Sequence, residues 1–160
     1  MQFFVYHYRI GEFGDIMEWD NSEFGEIGDQ LVLPLFEGVE KPPNNSLSGL
    51  NRSQRTLVRE AIASDDFEGK KGQRMAVWNP DCRVLLVGMG EKGEFGHGKA
   101  RNIGARVMGA LSKKKGLSVT VRFTSGWSSE RMVDFAEGMM LRDYEFLEHQ
   151  KVDDEHIAEP

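Results

Sequence analysis

Arg83-Val84-Leu85-Leu86-Val87-Gly88-Met89-Gly90 is the stretch on which the fold turns. A short apolar run bounded by a charge and by paired glycines reads as a buried strand that ends in a tight loop. Working back from it, Asn79-Pro80-Asp81 is a strong turn signal, and Gln73 to Trp78 before it is a second strand. A turn this short makes the two strands antiparallel neighbours. Ahead of them stands Phe67-Glu68-Gly69-Lys70-Lys71-Gly72, a turn punctuated by glycine. Leu47, Leu50, Leu57, Val58, Ala61 and Ile62 recur at helical spacing and predict a helix from about 46 to 64. Leu31-Val32-Leu33-Pro34-Leu35-Phe36 reads as a strand covered on both faces, with Pro34 near an edge or a strand end. Phe3 to Tyr8 is a first strand. Residues 9–28 read as an acidic loop, with a short helical turn around Ile16 to Trp19. Lys41 to Asn45 is a linker and turn.

Working forward, a glycine-rich loop runs from Gly88 to Gly98. A second helix is expected from about Lys99 to Lys115, with Ala100, Ile103, Val107, Ala110 and Leu111 on its apolar face and Gly116 as its stop. Leu117 to Phe123 alternates as a strand does. Ser128 or Ser129 caps a third helix to about His149, whose face is Met132, Phe135, Ala136, Met139, Met140, Tyr144 and Leu147. The order β-β-α-β-β-α-β-α places the chain in the α/β class, with a mixed central sheet covered on both faces.

A chain of 160 residues fits one domain. With 39% hydrophobic and 29% charged residues it reads as a soluble globular protein. No apolar run approaches the roughly 20 residues of a membrane span. The short apolar start, Met1 to Tyr6, lacks the basic flank and cleavage site of a signal peptide. Cys82 is the single cysteine, so no internal disulfide forms, and it reads as a small buried thiol. These features fit the cytoplasm. The net charge of −6 argues against nucleic acid as a partner. The charge is uneven, with seven acids and no base between Glu12 and Asp29. Lys113, Lys114 and Lys115 are either a small anion patch or a solvated helix C-terminus.

Several motifs invite a site. Gly88-Met89-Gly90-Glu91-Lys92-Gly93 spells G-x-G-x-x-G between a strand and a helix, a pattern that can admit a pyrophosphate. Here the helix begins about five residues too late. The next strand ends in Thr124-Ser125 rather than in an acid for the ribose, so a structural turn is the better reading. Lys70 and Lys71 lack Walker spacing. His7, His97, His149 and His156 are scattered, without metal-ligand spacing, and His97 in the glycine loop is the one to examine. The acidic 12–29 segment lacks the pattern of a calcium loop. No serine lies in a nucleophile elbow. The residues themselves therefore name no catalytic, cofactor-binding or metal-binding position.

Taken together, three stretches at their separations resemble the N-terminal domain of the leucine aminopeptidase, or cytosol aminopeptidase, family. They are the Phe67, Gly69, Lys70 and Gly72 turn; the Arg83–Gly90 strand; and Ala136, Glu137 and Gly138 with Tyr144 and Phe146. The strand Asp29 to Gly38 fits the same pattern, so the resemblance covers about Asp29 to His149. It implies a three-layer α/β/α fold similar to macro domains. Residues 1–150 would form one N-terminal domain, and 151–160 an acidic linker toward a C-terminal catalytic domain. The complete enzymes of the family are hexameric two-metal exopeptidases that use zinc or manganese to remove N-terminal residues from peptides. Their ligands lie in the C-terminal domain, and the family's Asn-Thr-Asp-Ala-Glu-Gly-Arg-Leu signature does not occur here. The resemblance thus implies a chain without catalysis of its own, contributing to assembly and active-site access beside its catalytic domain. The rival reading is a stand-alone macro-like module that binds ADP-ribose or a related nucleotide.

Overall fold

The computed structural model describes residues 4–9, 16–20, 29–40, 47, 49–64, 66–77, 83–94, 96–111, 118–123 and 127–142. Its centre is a six-stranded sheet built from β1 (Phe4–Arg9), β2 (Ile16–Asp20), β3 (Gln30–Leu35), β4 (Arg74–Val77), β5 (Arg83–Gly88) and β6 (Ser118–Phe123). The order across the sheet is β2-β1-β6-β3-β5-β4. β3 pairs in parallel with β5 and with β6, whereas β1, β2 and β4 join antiparallel. The class read from the sequence, α/β with a mixed central sheet, is the observed one. β4 and β5 are antiparallel neighbours, as their short connection demands.

β3 is buried along its whole length, on both faces, which is why it reads as an unbroken apolar run. Pro34 is one residue from its end. The β6 ladder stops at Val32, so Pro34 lies where only β5 still pairs.

Leu31, Leu33 and Leu35 share one face by strand alternation and pack with Val84 and Leu86 against Val58, Ala61 and Ile62 of the first helix, α1 (Arg52–Ala63). Each of these leucine, valine and isoleucine side chains contributes about 1.5–3 kcal/mol by leaving water. α1 starts six residues later than its periodicity predicts. Gly49 stands at φ +86°, outside helical space, and Asn51 caps the helix instead. Asn51 Oδ1 accepts from the Gln54 N–H at 2.8 Å, and Gln54 Oε1 accepts from the Asn51 N–H at 2.9 Å, a reciprocal capping box. Leu47 and Leu50 are buried from the preceding turn. Leu57, expected on the apolar face, is 37% exposed. The helical turn expected at Ile16 to Trp19 is strand β2, paired with β1 from Val5–Asp20 to Arg9–Ile16. The cross-strand partner, not local propensity, decides that segment.

The chain divides into two compact units. The sheet and α1 belong to the first. The second holds α2 (His97–Ala110) and α3, helical over 129–142. Gly104 of α2 lies against the Phe135 carbonyl, and Gly138 of α3 lies against the Arg101 carbonyl. The paired positions run in opposite chain directions, so the two helices cross antiparallel. Arg101 straps the crossing, with its guanidinium 3.0 Å from Glu137 and 3.6 Å from Asp134. α2 ends at Ala110, capped by Leu111, earlier than expected. Lys113 to Gly116, the linker 41–45, the turn 79–81, and the expected end of α3 with Tyr144, Phe146 and Leu147 lie outside the described residues. Met140, expected on the buried face of α3, is 41% exposed, whereas Phe135 and Met139 are fully buried.

Candidate functional site

In open α/β sheets the crevice at the carboxyl ends of parallel strands is the usual place for a ligand. Here the carboxyl ends of β3 and β5 are occupied by the chain itself. The Phe67–Gly72 turn is laced to both. Gly90 N–H donates to the Gly69 carbonyl at 2.9 Å, and Gly72 N–H to the Gly88 carbonyl at 3.1 Å. Gly38 N–H donates to the Glu68 carbonyl at 3.2 Å. The two strand ends are also tied to each other, through Glu37 N–H to the Gly90 carbonyl and Met89 N–H to the Leu35 carbonyl, both 2.9 Å.

Each residue of this turn has a physical task. Phe67 is buried in the core under α1. Gly69 and Gly72 stand at φ +80° and +81°, and a Cβ on Gly69 would lie 2.5 Å from the Phe36 carbonyl oxygen. Gln73, which the sequence reading did not single out, wires the turn internally. Its Oε1 accepts from the N–H groups of Glu68, Gly69 and Lys70 at 2.9, 3.1 and 3.3 Å, while its Nε2 donates to the Asp66 carbonyl at 2.7 Å. A polar side chain directly after the second glycine was the one available sign.

The G-x-G-x-x-G stretch separates into parts. A Cβ on Gly88 would strike the Lys70 carbonyl, and Gly90 stands at φ +78° beside Lys71. Those two glycines admit the close approach of the 69–71 backbone. Gly93 has nothing within 4 Å of a Cβ. Lys92 reaches back over the Phe36 ring, 5.7 Å from its centroid, and Phe36 in turn leans on Trp127.

Beside the turn lies an open cleft of about 480 Å³, with Ile62 and Phe67 among its apolar lining and Glu37, Glu40, Glu68 and Lys70 among its charged lining. Lys70 Nζ is 2.5 Å from Glu68. That hydrogen bond and charge, helped by Glu37, hold the lysine above its ordinary pKa. The hydroxyl in the cleft, Ser64 Oγ, donates to the Ala61 carbonyl at 2.7 Å and serves the end of α1. No histidine lines the cleft. Among the described residues, no three His, Cys, Asp or Glu side chains gather to hold a metal ion. His97 opens α2. Cys82, His149 and His156 lie outside the described residues.

The sequence model described as the cytosol aminopeptidase family, N-terminal domain, matches residues 32–151. The chain belongs to the cytosol aminopeptidase family. A probable cytosol aminopeptidase of Alkaliphilus oremlandii is 23% identical over 135 residues, which cover 79% of this chain and 27% of that protein. One of Cupriavidus metallidurans is 34% identical over 90 residues, 48% of this chain and 16% of that protein. Among solved structures, a mutant of tomato leucine aminopeptidase superposes with a TM-score of 0.53 at 23% identity, covering 72% of this chain and 25% of that one. The chain therefore spans about a quarter of the length of these relatives at most, and it corresponds to the family's N-terminal portion. The turn, the β5 strand and the Ala136-Glu137-Gly138 triplet that carried the resemblance are the turn lacing, the central ladder and the helix crossing described above. No helix among the described residues is long and apolar enough to cross a membrane.

Proposed function

We propose that this chain is the non-catalytic N-terminal domain of a metal-dependent leucyl aminopeptidase, which removes N-terminal residues from peptides in the cytoplasm. Residues 1–150 are the domain and 151–160 an acidic linker toward a catalytic domain that holds two zinc or manganese ions. The domain contributes to the assembly of a homohexamer and frames access to the active site. The match of the family's N-terminal domain to residues 32–151 carries this reading. A two-metal site needs carboxylate-rich ligands converging on ions about 3.5–4 Å apart. Among the described residues no such group of side chains converges, and no hydrolytic step is routed through them.

Two measurements test the proposal. The purified chain, assayed on leucine p-nitroanilide with manganese or zinc, is expected to show no turnover. The coding sequence is expected to continue past Pro160: 135 aligned residues are 27% of the Alkaliphilus oremlandii protein, which is thus about 500 residues long. Metal-dependent turnover that is lost on replacing an acid within the chain would overturn the assignment. Micromolar ADP-ribose binding, measured by calorimetry and abolished by Gly90→Val in a protein that still folds, would favour the stand-alone binding module instead.

A further inference from the structure

We propose that the outward face of α3 docks against the catalytic domain that follows this one in the same polypeptide. This docking rests on the aminopeptidase reading and names the surface by which the two domains meet. α3 buries Met132, Asp134, Phe135, Ala136, Gly138 and Met139. At about 100° per residue these positions span a sector of about 200°. The opposite sector, about 100° wide, carries Val133, Met140 and Leu141 with Glu130 and Glu137, all exposed. Val133, Met140 and Leu141 are 45%, 41% and 55% exposed, and they are three of the four large hydrophobic side chains found exposed among the described residues.

The outer sector of a surface helix is ordinarily polar, and single apolar residues scattered over a surface need no explanation. Three that share one sector, within about 12 Å of helix axis, form a strip instead. Glu137, which lies between them, is held by the Arg101 guanidinium at 3.0 Å. Covering the strip would therefore leave no lone carboxylate at its centre, which is the costly outcome when a charged group is buried. Glu130 stands at the N-terminal end of the strip, in the first turn of α3, where a carboxylate suits the helix dipole.

The size and the place of the strip select the occupant. Two free proteins hold together through roughly 20–30 residues a side, and three apolar side chains fall far short of that for a second copy. A tethered partner has no such requirement, because a short linker keeps it at an effective concentration in the millimolar range. α3 is helical to residue 142, and the family's N-terminal domain matches to residue 151. The nine residues from 142 to 151 span at most about 30 Å. A domain that follows therefore begins within reach of Leu141 and Met140, at the end of α3 where two of the three apolar side chains stand.

Thiol labelling at Val133→Cys and, separately, at Leu141→Cys tests the proposal, with the labelled position located by peptide mass so that Cys82 is read apart. Two positions are used so that a substitution that disturbs one turn of α3 leaves the other to report. In the 160-residue chain both cysteines are expected to react as exposed thiols do. In the polypeptide extended through its downstream coding sequence, their rates are expected to fall by about tenfold or more, and to stay low once dilution has separated the polypeptides. Equal rates in the two lengths, with the longer one an active aminopeptidase, would overturn this proposal and leave the aminopeptidase reading standing. Protection that dilution removes would give the strip to a second copy, and protection already present in the diluted 160-residue chain would give it to the residues after 142. Either result overturns the proposal. A coding sequence that stops at Pro160 would overturn the aminopeptidase reading and the docking with it.

Discussion

Replacing Gly88 by alanine adds one methyl group at the most crowded backbone crossing in the first unit. The new Cβ would fall on the Lys70 carbonyl oxygen and within 2.7 Å of the Gly69 carbonyl carbon. Both are main-chain atoms, so no rotamer change relieves the overlap, and the Phe67–Gly72 turn has to withdraw from β5. Withdrawal strains or breaks three hydrogen bonds: Gly72 N–H to the Gly88 carbonyl, Gly88 N–H to the Gln73 carbonyl, and Gly90 N–H to the Gly69 carbonyl. At about 1 kcal/mol net for each, the loss is about 3 kcal/mol, at the upper end of overpacking costs. That is a large share of the roughly 5–15 kcal/mol that holds a domain together. With a urea slope of about 1–3 kcal/mol per molar, the midpoint should fall by about 1–3 M. Trp127, buried 4.7 Å from the Phe123 ring, is a fluorescence probe for the transition. The control sits in the same glycine stretch. Gly93→Ala meets nothing within 4 Å and should stay within about 0.5 kcal/mol of the parent. If Gly88→Ala matched the control, the turn would not be seated on β5 and the reason given for the two glycines would be wrong.

Three further outcomes follow from the packing and charge. Gly138→Ala drives a methyl into the Arg101 carbonyl and should cost about 1–3 kcal/mol by thermal denaturation, whereas Gly98→Ala, with open space inside α2, should stabilise by about 0.5–1 kcal/mol. Phe135→Ala should cost about 3–5 kcal/mol, while Met140→Ala on the exposed side should be close to neutral; equal effects would mean that the face of α3 is misassigned. Lys70 should titrate above 10.5 in the ε-methylene NMR signals, and Glu68→Gln should bring it down. Because its folded pKa is raised, the pair's contribution to stability is complete below the unfolded value and is lost as pH climbs through the folded one. A Lys70 midpoint unmoved by Glu68→Gln would place the cause elsewhere.

Burial on both faces leaves a direct mark on sequence, so β3 and β5 were legible as continuous apolar runs and led to the class of the fold. Capping chemistry is also local, yet the start of α1 was misplaced. Leu47 and Leu50 keep helical spacing although they belong to a turn, and only the geometry at Gly49 and Asn51 separates the two. β2 was not legible, because Ile16–Asp20 is a strand by virtue of pairing with β1. The glycines of the 88–93 stretch could be read as structural, but what they accommodate could not. The crossing chain is the 69–71 backbone, brought there by tertiary packing. Gln73 escaped notice for a related reason. Its three accepted bonds exist once the turn has closed around it.

The strand order has a consequence for how the chain is made. β1 leaves the ribosome before the other strands, yet its neighbour toward the centre of the sheet is β6, with Phe4 paired to Phe123, 119 positions later. At about 5–20 residues per second the first strand waits roughly 6–24 s for its partner to be synthesised. During that interval β3, α1, β4 and β5 can already condense, since each has its neighbours within the residues already emerged. The nascent protein is therefore expected to carry an early-formed middle and a trailing N-terminal hairpin, which docks only when translation has passed Phe123. Any factor that shields nascent chains would find its target at the beginning of this sequence, late in its synthesis.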